Sequence, residues 1–73
     1  MSMINNQREV RREFWAAVRR GEFGPEVTRR KIQDYSGDGT MYNASTGYAF
    51  CEWLDGEVRA GNVSERVAQG VTL

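Results

Sequence analysis

The 73-residue chain contains no histidine, so the commonest general base and the commonest nitrogen ligand for metals are both missing. A single cysteine, Cys51, excludes an internal disulfide, a thiolate zinc cluster and a paired redox motif. With no histidine to activate it, Cys51 is a poor nucleophile, and its helical neighbours Phe50 and Leu54 predict that it is buried as a small apolar residue. There is one proline, Pro25, which leaves most backbone punctuation to glycine. No apolar run is long enough to span a membrane, and Met1–Ile4 leads directly into polar residues instead of a secretory core. Cysteine usage and the lack of an export signal make the cytoplasm the expected compartment. At this length one small domain, residues 1–73, is expected, burying only about 60% of its unfolded surface. Such a domain has little room for a deep, dry pocket. The carboxylate pairs Glu52/Asp55 and Asp55/Glu57 read as solvated acids on a surface helix, so no enzyme, cofactor or metal is expected.

What the chain does have is charge, divided unevenly. Residues 1–33 carry eight cations (Arg8, Arg11, Arg12, Arg19, Arg20, Arg29, Arg30, Lys31) against four acids, a balance of +4. Residues 34–73 carry six acids (Asp34, Asp38, Glu52, Asp55, Glu57, Glu65) against Arg59 and Arg66, a balance of −4. The formal net charge of zero therefore hides a dipolar molecule. Nine of the ten cations are arginine, whose planar fork suits carboxylates and phosphates.

The periodicities predict an α+β domain, mainly helical: an N-terminal amphipathic helix, a small β-hairpin and one or two short C-terminal helices. Asn5 or Asn6 can cap the first helix, which runs to Arg20 with Gly21 as its stop. Within it Val10, Phe14, Ala17 and Val18 fall in an arc of about 100°, a core-facing stripe. Arg8, Arg12 and Arg19 fall opposite, with Trp15 beside them. After Gly24-Pro25, a short helical turn and then a strand near residues 31–35 are expected. Ser36-Gly37-Asp38-Gly39 is turn chemistry leading to a partner strand at residues 40–43, with Tyr35 and Tyr42 able to pair across the hairpin. Ser45 or Thr46 can cap a further helix bearing Phe50, Cys51, Leu54 and Val58, which Gly56 interrupts near Asp55. Asn62 with Glu65 has capping-box spacing, and Gly70 can close the last helix, after which Val71-Thr72-Leu73 either tucks into the core or frays.

Arg8, Arg11, Arg12, Trp15 and Arg19 form a candidate partner-binding face, because arginine and tryptophan are enriched at interface hot spots. The competing reading is an ordinary solvated helix face with Trp15 covered. Arg29, Arg30 and Lys31 are a candidate phosphate or nucleic-acid contact, and folding onto the same side as the helix stripe would favour binding. The usual nucleic-acid binder is basic overall, and here the acidic half would repel phosphate. Asp34-x-Ser36-x-Asp38-Gly39-Thr40-Met41 resembles the first eight positions of an EF-hand calcium loop, but Ser45 stands where the bidentate carboxylate is needed. Hairpin-loop chemistry accounts for the same residues. Tyr35, Tyr42, Tyr48, Phe50 and Trp53 are either a stacking platform for single-stranded RNA or the core of a domain poor in aliphatics, the second being the stronger reading.

In length and general make-up the chain resembles small lytic-phage proteins that inhibit or regulate bacterial RNA polymerase. The resemblance rests on size and character, includes no diagnostic motif, and transfers no site residue. It implies binding to a polymerase subunit with altered transcription, the charge dipole guiding encounter. The expected function is a non-enzymatic protein-binding regulator docking on a larger machine. An Arg-rich RNA- or DNA-binding module is the alternative, and a small calcium-stabilised module a further one.

Overall fold

Asn6 opens the first helix. Its backbone is extended, and its side-chain oxygen accepts the Glu9 amide at 2.8 Å, satisfying one of the donors that a helix start leaves without a partner. In the computed structural model, which describes residues 3–34, 36–37 and 39–73, helix α1 then spans Gln7–Arg19. It ends in a Schellman arrangement: Gly21 N–H donates to Val18 O and Glu22 N–H to Ala17 O, with Gly21 at φ +79°. That left-handed turn is one glycine adopts without steric cost.

The 24–28 segment departs from expectation. Pro25 and Glu26 form a single turn closed by Val27 N–H to Gly24 O at 3.1 Å, and no helix follows. The like-charged Arg29-Arg30-Lys31 run gives a helix no support. The backbone of Thr28 instead bonds to a distant hydroxyl: Thr46 Oγ1 accepts the Thr28 amide at 3.0 Å and donates to its carbonyl at 3.2 Å. Strands β1 (Lys31–Gln33) and β2 (Thr40–Tyr42) make the antiparallel hairpin. Its register pairs Lys31 with Tyr42, Ile32 with Met41 and Gln33 with Thr40. Tyr42 therefore sits opposite Lys31, and the suggested Tyr35 partnership involves a residue outside those described.

Helix α2 spans Ala44–Arg59 and is capped by Asn43, not by Ser45 or Thr46, which lie in its first turn. Asn43 accepts the Thr46 amide at 2.7 Å and donates to Glu26 O at 2.9 Å, so the cap also fixes the preceding turn. Gly56 does not interrupt α2. It lies on an exposed face with open space around its α-carbon, and packing through Leu54 and half-buried Val58 outweighs its propensity cost of about 1 kcal/mol. The stop is Gly61, at φ +79°, which repeats the α1 ending through bonds to Val58 O and from Asn62 to Glu57 O. Helix α3 is the single turn Glu65–Ala68, preceded by Ser64. The expected Asn62 capping box is absent: the N-cap position falls at Ser64, and the Asn62 side chain instead donates through Nδ2 to Glu57 Oε2 at 2.9 Å.

The core gathers Val10, Phe14, Trp15, Val27, Phe50, Leu54, Val63 and Val71. Phe14, fully buried, is its hub: the rings of Trp15, Phe23, Phe50 and Trp53 lie 5.0–5.6 Å from its centroid, in the edge and tilted geometries that aromatic quadrupoles favour. Val71 tucks in, whereas Cys51, expected to be buried, is exposed. The polar residue Thr46 takes the core position one turn before Phe50. Near the chain's beginning, Ile4 forms a parallel bridge with Val63, its N–H donating to Asn62 O at 2.8 Å and its carbonyl accepting from Ser64 N–H at 2.9 Å.

Candidate functional site

On α1 the arginine stripe faces outward along the helix. Arg8 and Arg12 are one turn apart, and Arg8 to Arg19 spans about 16 Å of helix rise. The fold then brings a loop residue to them. Arg8, Arg11, Arg12, Arg19 and Arg29, with Trp15, Tyr42 and Leu73, line one open cleft of about 440 Å³. Among the described residues, no acidic side chain lines it. Arg8 and Arg12 continue into a neighbouring hollow with Asn6 and Glu9.

The ion pairs among the described residues are Arg20–Glu22 and Arg59–Asp55, and neither includes a cleft arginine. The Arg11 guanidinium donates to Thr72 O at 3.2 Å. Arg29 lies over the Trp15 ring at 5.0 Å, and Lys31 Nζ lies over the Tyr42 ring at the same distance. These cation–π contacts hold the two charges at the cleft edge without neutralising them. Like charges one helical turn apart, as Arg8 and Arg12 are, cost a few tenths of a kcal/mol, and no ion pair among the described residues offsets that cost.

Trp15 is 6% exposed, so it forms the cleft's floor and is not a solvent-facing anchor. Arg30 does not line the cleft; its amide donates to Thr28 Oγ1 at 3.2 Å. Tyr42 and Leu73 are the lining residues that sequence reasoning did not place at this site. Tyr42 carried a signal, as an aromatic on a strand beside a basic run, whereas Leu73 arrives only through the C-terminal segment's packing.

The suggested calcium loop falls between β1 and β2, with Asp38 outside the described residues. Asp34 Oδ1 accepts the Ser36 amide at 2.9 Å, a local turn of the kind aspartate makes in hairpin loops. Hydrogen bonds from the Ser36 backbone, and then from its side chain, hold the Asp34 carboxyl below its ordinary value, slightly opposed by desolvation. Because the folded value is depressed, any stabilisation from this turn is present above the ordinary aspartate range and lost as pH falls through the lowered value. A carboxyl-detected NMR titration should find Asp34 protonating at lower pH than a model aspartate, and the Ser36 amide shift should move with it. Asp34 titrating at the ordinary value would show that the turn does not hold its carboxylate. Among the described residues, no three acidic or cysteine side chains converge to hold a metal.

No described helix is long and apolar enough to cross a membrane. Compared with protein families, curated proteins and solved structures, the chain matches none.

Proposed function

We propose that this chain is a small non-enzymatic docking module whose arginine cleft holds an acidic segment of a larger protein. One observation carries the reading: five arginines from α1 and the 29–31 run meet at a single open cleft, and among the described residues no carboxylate pairs with any of them. Arginine forks bind carboxylates bidentately, in pairs stronger than neutral hydrogen bonds. An acidic stretch laid along α1 would meet successive arginines at helical spacing, its negative charge speeding encounter and setting orientation.

A single-stranded nucleic acid is served less well. Stacking platforms offer aromatic faces to bases, whereas a cation lies over each cleft aromatic, Trp15 and Tyr42. The partner implied by the resemblance to phage regulators, an acidic surface of a bacterial RNA polymerase subunit, is compatible with the same chemistry.

The test uses a fluorescein-labelled peptide of twelve glutamates and aspartates, read by anisotropy at low and moderate salt. The parent protein should bind it with marked salt dependence. The double variant Arg12→Glu/Arg19→Glu should bind at least about 30-fold more weakly with unchanged far-UV circular dichroism. Equal binding by the folded double variant, or tighter binding of a length-matched RNA than of the peptide, overturns the reading.

A further inference from the structure

The geometry points to a second docking surface, the groove between the 23–27 turn and the first half of α2, whose occupant is a short basic segment of a partner protein. The segment inserts one apolar side chain between flanking lysines or arginines. Phe23, Val27, Ala49 and Tyr48 form an apolar hollow of about 340 Å³, which Gly24, Ser45, Glu26 and Glu52 complete. Tyr48 is 73% exposed, more than any other large hydrophobic residue described, although tyrosine rings usually lie at least partly buried.

Charge specifies what the groove takes. Among the described residues its charged lining is Glu26 and Glu52, and neither has an ion-pair partner there. Two other apolar hollows differ. In the one lined by Ile4 and Trp53, Arg20 puts a cation in the wall and pairs with Glu22, and Glu57 accepts from Asn62, which leaves Glu13 as the one unengaged acid among the described residues. In the one between α2 and α3, Asp55 is paired with Arg59, which leaves Glu65 alone. An apolar floor with two unengaged carboxylates complements an apolar side chain with cations beside it.

The walls are fixed before any partner arrives. Asn43 ties Glu26 O to the start of α2, and Thr46 ties both backbone groups of Thr28 to its first turn. Glycine at position 24 leaves room for the Glu26 carboxylate, because a β-carbon there would collide with it. A preformed groove spares the ordering cost of binding. A second copy of this chain is a poor occupant. The surface it would offer, its arginine cleft, has Trp15 buried and Leu73 half-buried, so neither apolar side chain projects from among the cations.

The probe is an amidated ten-residue peptide with one tryptophan centred among lysines and arginines, titrated into ¹⁵N-labelled protein. Amide shifts should concentrate at Val27, Tyr48, Ala49 and Glu52. Glu26→Lys/Glu52→Lys and, separately, Tyr48→Ala should each weaken binding at least tenfold, as should replacing the peptide's tryptophan by serine. Glu13→Gln and, separately, Glu65→Gln should leave this affinity unchanged, which separates the groove from the two other hollows. Unaltered affinity in the Glu26/Glu52 variant, shifts centred on Glu13 and Trp53, or sedimentation showing that Tyr48 mediates a dimer, would each overturn the assignment.

Discussion

Phe14→Ala is expected to leave the protein largely unfolded at physiological temperature. A chain of this length has about 4–11 kcal/mol of total stability at ordinary per-residue values, and removing a buried phenylalanine costs about 3–5 kcal/mol. Phe14 falls at the severe end of that range because four other rings pack against it. Its loss leaves a void bordered by α1, α2 and the 21–24 connection, and large, rigid aromatics collapse poorly into such a void. In a domain this small the cost corresponds to a fall in melting temperature of roughly 15–30 °C. Phe14→Leu, which keeps most of the volume, should recover much of that loss. Thermal unfolding followed at 222 nm decides the matter. A midpoint for the alanine variant within a few degrees of the parent would show that the ring cluster is not what holds the helices together.

The second large effect is expected at Thr46, the fully buried hydroxyl residue of α2. Thr46→Val keeps shape and volume but removes the group that serves both the N–H and the C=O of Thr28. Leaving a partly buried donor and acceptor without partners costs about 1–3 kcal/mol each when no water replaces the hydroxyl. Thr46→Ser makes the opposite sacrifice, retaining the hydroxyl and losing one methyl group, worth about 1 kcal/mol. The expected stability order is therefore threonine, then serine, then valine. The Thr28 amide should also exchange with solvent much faster in the valine variant. Should valine prove as stable as threonine, the hydroxyl would be shown to fill space only.

These two positions also mark what the sequence could and could not convey. Phe14 was legible: it stands on the apolar arc of a helix whose Asn6 start and Gly21 stop are local signals, so the 3.6-residue period alone placed it inside. Thr46 was not. Asn43, Ser45 and Thr46 are all chemically competent caps, and the choice among them depends on bonds to Glu26 and Thr28, residues remote in sequence. Once Thr46 takes the core position, Phe50 and Leu54 continue its face and Cys51 turns outward, against the expectation drawn from spacing. Gly56 and Gly61 were likewise equivalent as letters. Only the second stands where the final carbonyls of α2 need a left-handed residue. At the candidate site the α1 arginines were readable as one stripe because helical periodicity is local. Their convergence with Arg29 was not, since it depends on the path of the 24–31 segment, which spends its hydrogen bonds on α2 instead of on a helix of its own. Tyr48 looked like core material by residue type, and only the packing of α2 shows that it projects.

The bridge between Ile4 and Val63 has a consequence for the order of assembly. Helix α1, the hairpin and most of α2 close contacts over short stretches of chain, and such contacts form early because little loop entropy is lost in making them. The Ile4–Val63 pairing joins residues nearly a whole chain apart and gains little until α1 and α2 have already docked through Phe14. It is expected to form on the native side of the folding barrier, so that Ile4→Ala should speed unfolding in stopped-flow measurements and leave the folding rate unchanged. On this expectation the residues just before α1 are secured after the helices have docked and released before they part.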